Sequence, residues 1–172
     1  GYSYIEPFLQ QIGGFSDGSI TAALSIFGIA GIAGSALFAR LYAGRRRRFA
    51  FLILALFGIT ASLFLMLPCA TGFAFASSMC VLWGACATAF NVSLQSEILK
   101  YAPEGAAAVA MSIFSGIFNL GIGGGSAIGG AVSSGMSISW VGVVGGFIGV
   151  AGVAACAVFL IPSMSKRGVV PK

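Results

Sequence analysis

The sequence has no histidine and only four carboxylates in 172 residues. Histidine is the commonest general acid–base and a common metal ligand. Its absence excludes His-dependent catalysis and leaves the usual His/Cys/carboxylate metal sites short of donors. Charge of either sign is scarce: 8% of residues are charged, against roughly 25% in ordinary globular domains. That is too little polar surface to coat a water-soluble particle. Cys69, Cys80, Cys86 and Cys156 show no C-x-x-C spacing and fall mostly in apolar runs, so they read as small hydrophobes and not as a disulfide framework. A phosphate loop is missing too. No G-x-x-x-x-G-K-[ST] occurs, and the run from Gly121 has Ser126 where G-x-G-x-x-G needs its last glycine. No basic n-region precedes the apolar start at Gly1, so the opening does not resemble a signal peptide, and we expect the chain to be a fragment.

What is present in quantity is apolar surface and glycine. Apolar residues make up 58% of the chain, mean hydropathy is +1.02, and there are 26 glycines. They lack the every-third-residue period of collagen and suit close helix packing in lipid. A bilayer core about 30 Å thick needs about 20 apolar residues per helix, and uncharged stretches supply them. We expect an all-α integral membrane bundle with complete spans near residues 20–42, 49–68, 73–94, 106–132 and 140–161, and a partial span at 1–12. Pro68 and Gly72 mark the turn of one hairpin, and the polar stretch 133–137 marks another. The apolar runs are continuous and do not alternate with the two-residue period of barrel strands.

Basic residues then orient the bundle. Arg40 and arginines 45–48, Lys100, and Lys166, Arg167 and Lys172 all fall on one side of this arrangement, which the loop-charge rule makes cytoplasmic, together with the C-terminus. Asp17 is the only charge expected in the opposite loops. The net charge of +5 therefore records topology, and no nucleic-acid partner is expected. The arginine run has a second reading as a contact for anionic lipid.

Several stretches resemble a known family. Tyr2-Ser3-Tyr4-Ile5-Glu6-Pro7-Phe8-Leu9 is similar to the seventh-span signature of 12-span drug and sugar efflux permeases of the major facilitator superfamily. Phe118-Asn119-Leu120-Gly121-Ile122, with Gly125, Gly129 and Gly130 beyond it, resembles the eleventh-span signature, and the linker from Gln95 to Pro103 resembles the loop between spans ten and eleven. The loop after span eight keeps Gly44 and the basic run of the superfamily's loop motif but has Leu41 where an Asp belongs. The resemblance covers the whole chain as spans seven to twelve and is closest to bacterial sugar efflux transporters of arabinose-like sugars and thiogalactosides. It implies half of a two-fold pseudo-symmetric transporter of the bacterial inner membrane, lacking its N-terminal half. It also implies a small solute, a sugar or drug-like molecule, bound near mid-membrane and exported in exchange for protons by rocking. No cofactor or metal is expected. The rival readings are a multidrug/proton antiporter of the same branch and, if the chain is complete as given, a small structural membrane subunit.

The residues that could carry transport are few. Glu6 is the only carboxylate this division of the chain places in or beside a span, one to two turns beneath the outer surface, which makes it the candidate for proton coupling and a candidate for substrate contact. Tyr2 shares its helix face, whereas Tyr4 does not, and Pro7 loosens the backbone ladder beside it. Tyr4, Asn91 and Asn119 complete the candidate substrate set. Asn119 falls at the midpoint of its span, on a seam with Ser112, Ser115, Gly123 and Ser126. A mid-membrane amide is costly unless it bonds across helices or meets a ligand. Asn91 and Gln95 sit four apart, with Trp83 and Thr88 deeper in. An aromatic beside amides suits a sugar, which stacks its apolar face and hydrogen-bonds its rim. Gly121, Gly125 and Gly129 repeat at four-residue spacing, a stripe for close helix packing.

Overall fold

The computed structural model of the chain describes residues 1–41, 45–66 and 72–160, with the backbone alone for 38–41, 45–50 and 160. The expected turn at Pro68, Cys69, and the basic residues Lys166, Arg167 and Lys172 lie outside the described residues. Among those described, the chain is all-helical: α1 Tyr2–Gln11, α2 Asp17–Leu41, α3 Arg45–Leu65, α4 Phe73–Tyr101, α5 Ala107–Gly135 and α6 Ser139–Ala155, which continues into a π-helical turn Cys156–Leu160. Asp17–Leu37, Phe73–Tyr101, Ala107–Gly135 and Ser139–Phe159 are long and apolar enough to cross a membrane. Among the described residues the apolar stretch of α3 is Phe51–Leu65, and the arginines at 45–48 form the helix's first turn.

The helix ends depart from the expected spans for local reasons. α2 starts at Asp17, where Ser16 Oγ accepts the Ser19 N–H at 3.4 Å and an acidic first turn suits the helix dipole. α4 runs through the stretch expected to be a linker. It ends only at Tyr101, two residues ahead of Pro103, with Lys100 in its last turn, where a cation complements the dipole. Gly105, at φ +80°, then takes the left-handed conformation that lets the chain turn into α5.

Small residues set the packing. α2 crosses α4 where Gly31 faces Thr88, Gly34 faces the Ala85 backbone and Gly84 faces the Phe27 carbonyl; a Cβ at any of these would collide with its neighbour. α3 lies against both α4 and α6. Its Leu63, Phe64 and Thr60 fill the face of α6 that Gly142, Gly146 and Gly149 leave open. Three buried hydroxyls are satisfied within their own helices: Thr60 donates to Leu56 O at 2.9 Å, Ser62 to Gly58 O at 2.8 Å and Ser93 to Ala89 O at 2.6 Å, whereas the buried Ser77 Oγ has no partner among the described residues. The apolar core gathers at the α1 end, where Ile5, Phe8 and Leu9 meet Ile20, Met79 and Trp83. α5 is different, since no residue of its best 18-residue apolar window is buried.

Candidate functional site

The short α1 presents two faces. Ile5, Phe8 and Leu9 are buried, and the opposite side leaves Glu6 exposed. Tyr4 points the other way, toward α5. Its ring fills the notch at Gly129, where an added Cβ would lie 2.9 Å from Cδ2, and its hydroxyl donates to Ser126 O at 3.0 Å. Ser3 Oγ and Ser126 Oγ share a second hydrogen bond of 3.2 Å. Tyr4 is thus a fastener between α1 and α5, on a helix face separate from that of Glu6.

Tyr2, Phe27 and Trp83 form an aromatic cluster joining α1, α2 and α4. Tyr2 and Phe27 centroids are 5.2 Å apart, Phe27 meets Trp83 edge-on at 5.9 Å, and Tyr2 meets Trp83 edge-on at 6.5 Å. These are favoured ring geometries. The cluster borders a cavity of about 340 Å³ whose lining also includes Ser3 and Ser126. Gly1 and Gly125 separate it from an apolar cavity of about 180 Å³ between α5 and α6, lined by Ile128, Val132, Val141 and Ile148.

The remaining candidates are spread out. Asn91, on α4, is half-buried and accepts a hydrogen bond from Gln95 Nε2. Asn119 is exposed at the middle of α5, with Ser112 and Ser115 on the same uncovered seam. Of the three spaced glycines, Gly129 packs against Tyr4, while Gly121 and Gly125 have nothing within 4 Å of an added Cβ among the described residues. The structure brings Tyr4 and Gly129 together and leaves Glu6, Asn91 and Asn119 apart.

One expectation is corrected. Glu6 is not the only carboxylate within a helix: Glu97 lies inside α4, 5% exposed, and accepts from Lys100 Nζ at 2.9 Å. The expected span stopped at 94, before the first charge, whereas the helix continues because Glu97 and Lys100 pair across one turn. The three-residue spacing of Glu97 and Lys100, with no Gly or Pro until Pro103, was the signal that could have found it. Tyr2 and Phe27 as partners of Trp83 had no such signal, since helix packing alone brings them together.

The whole chain, residues 1–172, matches the family model of the Major Facilitator Superfamily.

Proposed function

Because the chain belongs to the Major Facilitator Superfamily, a family of membrane transporters and not enzymes, we propose that it is the C-terminal half of a secondary active transporter that exports a sugar in exchange for protons. On this reading it lies in the bacterial inner membrane with a cytoplasmic C-terminus. The Tyr2–Phe27–Trp83 cluster supports a sugar most, because it stands beside the Ser3 and Ser126 hydroxyls on one cavity. Aromatic faces take the apolar side of a pyranose and hydroxyls take its rim. Asn119 and Asn91 supply further hydrogen-bonding groups, Tyr4 holds α5 against this region, and Glu6 is the proton-coupling residue. The N-terminal half is the partner that completes the site.

The test is efflux from vesicles containing the full-length protein, using a labelled arabinose analogue against a panel of cationic dyes. Sugar export that is lost in Trp83→Ala, with no export of the dyes, supports the reading. A second reading, multidrug export, is favoured by the adjoining apolar cavity of about 180 Å³, and dye export without sugar export would establish it. Glu6→Gln separates the coupling role: if export and its pH dependence both survive at normal protein levels, Glu6 does not couple.

A further inference from the structure

A separate groove is built by α2, α3 and α4 alone, with no wall from α1 or α5. It encloses about 260 Å³, and its lining is apolar side chains and small residues: Leu37 from α2, Phe51, Leu54 and Ala55 from α3, and Cys86 and Ala89 from α4. Ala55 forms its floor at 5% exposure, whereas Leu37 and Leu54 stand at its rim at 52% and 66%.

The ends of this groove have a distinctive register. Arg40 follows Leu37 by three residues in α2, and Arg48 precedes Phe51 by three residues in α3. Three residues of helix rise about 4.5 Å. Arg40 and the four arginines of α3's first turn therefore occupy backbone positions within about two turns of the groove's mouth. Lys100 lies on the same side of the bundle. Glu97 and Glu104 are the carboxylates at this end, and Glu97 is engaged by Lys100. Six cationic positions and two acidic ones thus share this end of the described bundle.

We propose that the groove holds an acyl chain of an anionic phospholipid whose phosphate lies toward the arginine positions at the end of α2 and in the first turn of α3. In a bilayer the groove gains nothing from the hydrophobic effect, because the surrounding tails are equally apolar. An unfilled groove nevertheless forfeits dispersion contacts on every wall. An acyl chain restores those contacts, and the headgroup decides which lipid supplies it. A basic cluster beside the hydrocarbon edge attracts anionic headgroups with a free energy near 1 kcal/mol per Lys or Arg, a factor of about five in affinity for each. A topology signal would need the arginines but not the groove, so the two parts are separable by mutation.

The experiment uses the full-length protein, delipidated in detergent, with dioleoyl phosphatidylglycerol and dioleoyl phosphatidylcholine as probes and native mass spectrometry as the readout. We expect phosphatidylglycerol to bind at least tenfold more tightly. The double variant Arg46→Gln/Arg47→Gln should weaken it roughly fivefold per arginine. Ala55→Leu, which fills the floor and leaves every charge in place, should weaken it at least fivefold. The rim variant Leu37→Ala/Leu54→Ala widens the groove at exposed positions and should lower occupancy in the same direction, which keeps the test intact if Ala55→Leu does not fold. Equal binding of the two lipids overturns the proposal. So does phosphatidylglycerol binding that both groove variants leave unchanged, or complete displacement of the lipid by millimolar inorganic phosphate.

Discussion

Gly28 and Gly34 lie six residues apart on α2 and should answer the same substitution with opposite signs. At Gly34 an added Cβ would stand 2.7 Å from Ala85 Cα and 2.9 Å from its carbonyl carbon, inside the 3.4 Å at which ordinary contact begins. The obstacle is backbone, so no rotamer change relieves it. The Ala85 carbonyl oxygen is nearer still, so α2 and α4 must separate by more than about 0.7 Å along their most extensive contact. Overpacking of this kind typically costs 1–3 kcal/mol. At Gly28 nothing lies within 4 Å of the added carbon, and replacing a mid-helix glycine by alanine gains roughly 0.5–1 kcal/mol. Gly34→Ala should therefore destabilise by about 1–2 kcal/mol net of that propensity gain, and Gly28→Ala should stabilise by about 0.5–1 kcal/mol. Equilibrium unfolding in mixed micelles reads both, and larger side chains at Gly34 should extend the loss. Equal shifts for the two alanines, or a stabilising Gly34→Ala, would refute the claim that glycine at this crossing serves backbone approach.

Tyr4→Phe keeps the ring in its Gly129 notch and removes only the 3.0 Å bond to Ser126 O. It should cost about 1 kcal/mol in the same unfolding assay, whereas Tyr4→Ala should cost several times more. Glu97→Gln preserves an acceptor for Lys100 and should lose no more than about 1 kcal/mol, since Lys100, at 42% exposure, reaches water. Glu97→Ala should lose more, and equal losses in unfolding free energy would contradict this. Cysteine placed at Asp17 should react with a membrane-impermeant maleimide added outside intact cells, and one placed at Lys100 should not; the reverse pattern would invert the proposed orientation.

Fold class was legible because uncharged runs long enough for the bilayer leave a helical bundle as the main solution, and 8% charge removes the soluble alternatives. Helix ends were less so. Hydropathy stops at the first charge, yet α4 carries Glu97 and Lys100 through another turn as an internally paired couple, and α3 begins on arginines whose long side chains can snorkel. Glycine spacing on α5 identified the Tyr4–Gly129 contact on one side only, because the partner aromatic sits more than a hundred residues away in sequence. The aromatic cluster was legible only at Trp83. Tyr2 and Phe27 reach it through the crossing of α2 with α4, which no local pattern encodes. Substrate identity stayed illegible, since the candidate residues Glu6, Asn91 and Asn119 lie apart and, on the proposed reading, the other half of the transporter completes the site.

Asn119 carries the sharpest consequence of the proposed reading. It is exposed at the middle of a 29-residue helix, on an uncovered seam with Ser112 and Ser115. An amide turned into hydrocarbon without a partner costs roughly 4–8 kcal/mol on the cyclohexane reference, comparable to the whole stability of a marginally stable domain, about 5–15 kcal/mol. We therefore expect the seam to meet protein or water in the membrane. Asn119→Cys in the full-length transporter should react with a small water-soluble maleimide when the solute pathway is open, and saturating solute should slow that reaction. Asn119→Leu should fold, because the site is uncovered within this half, and should reduce export more than it reduces protein level. Labelling of the cysteine by a lipid-phase probe alone, with export unchanged in the leucine variant, would place this seam against lipid and remove α5 from the transport pathway.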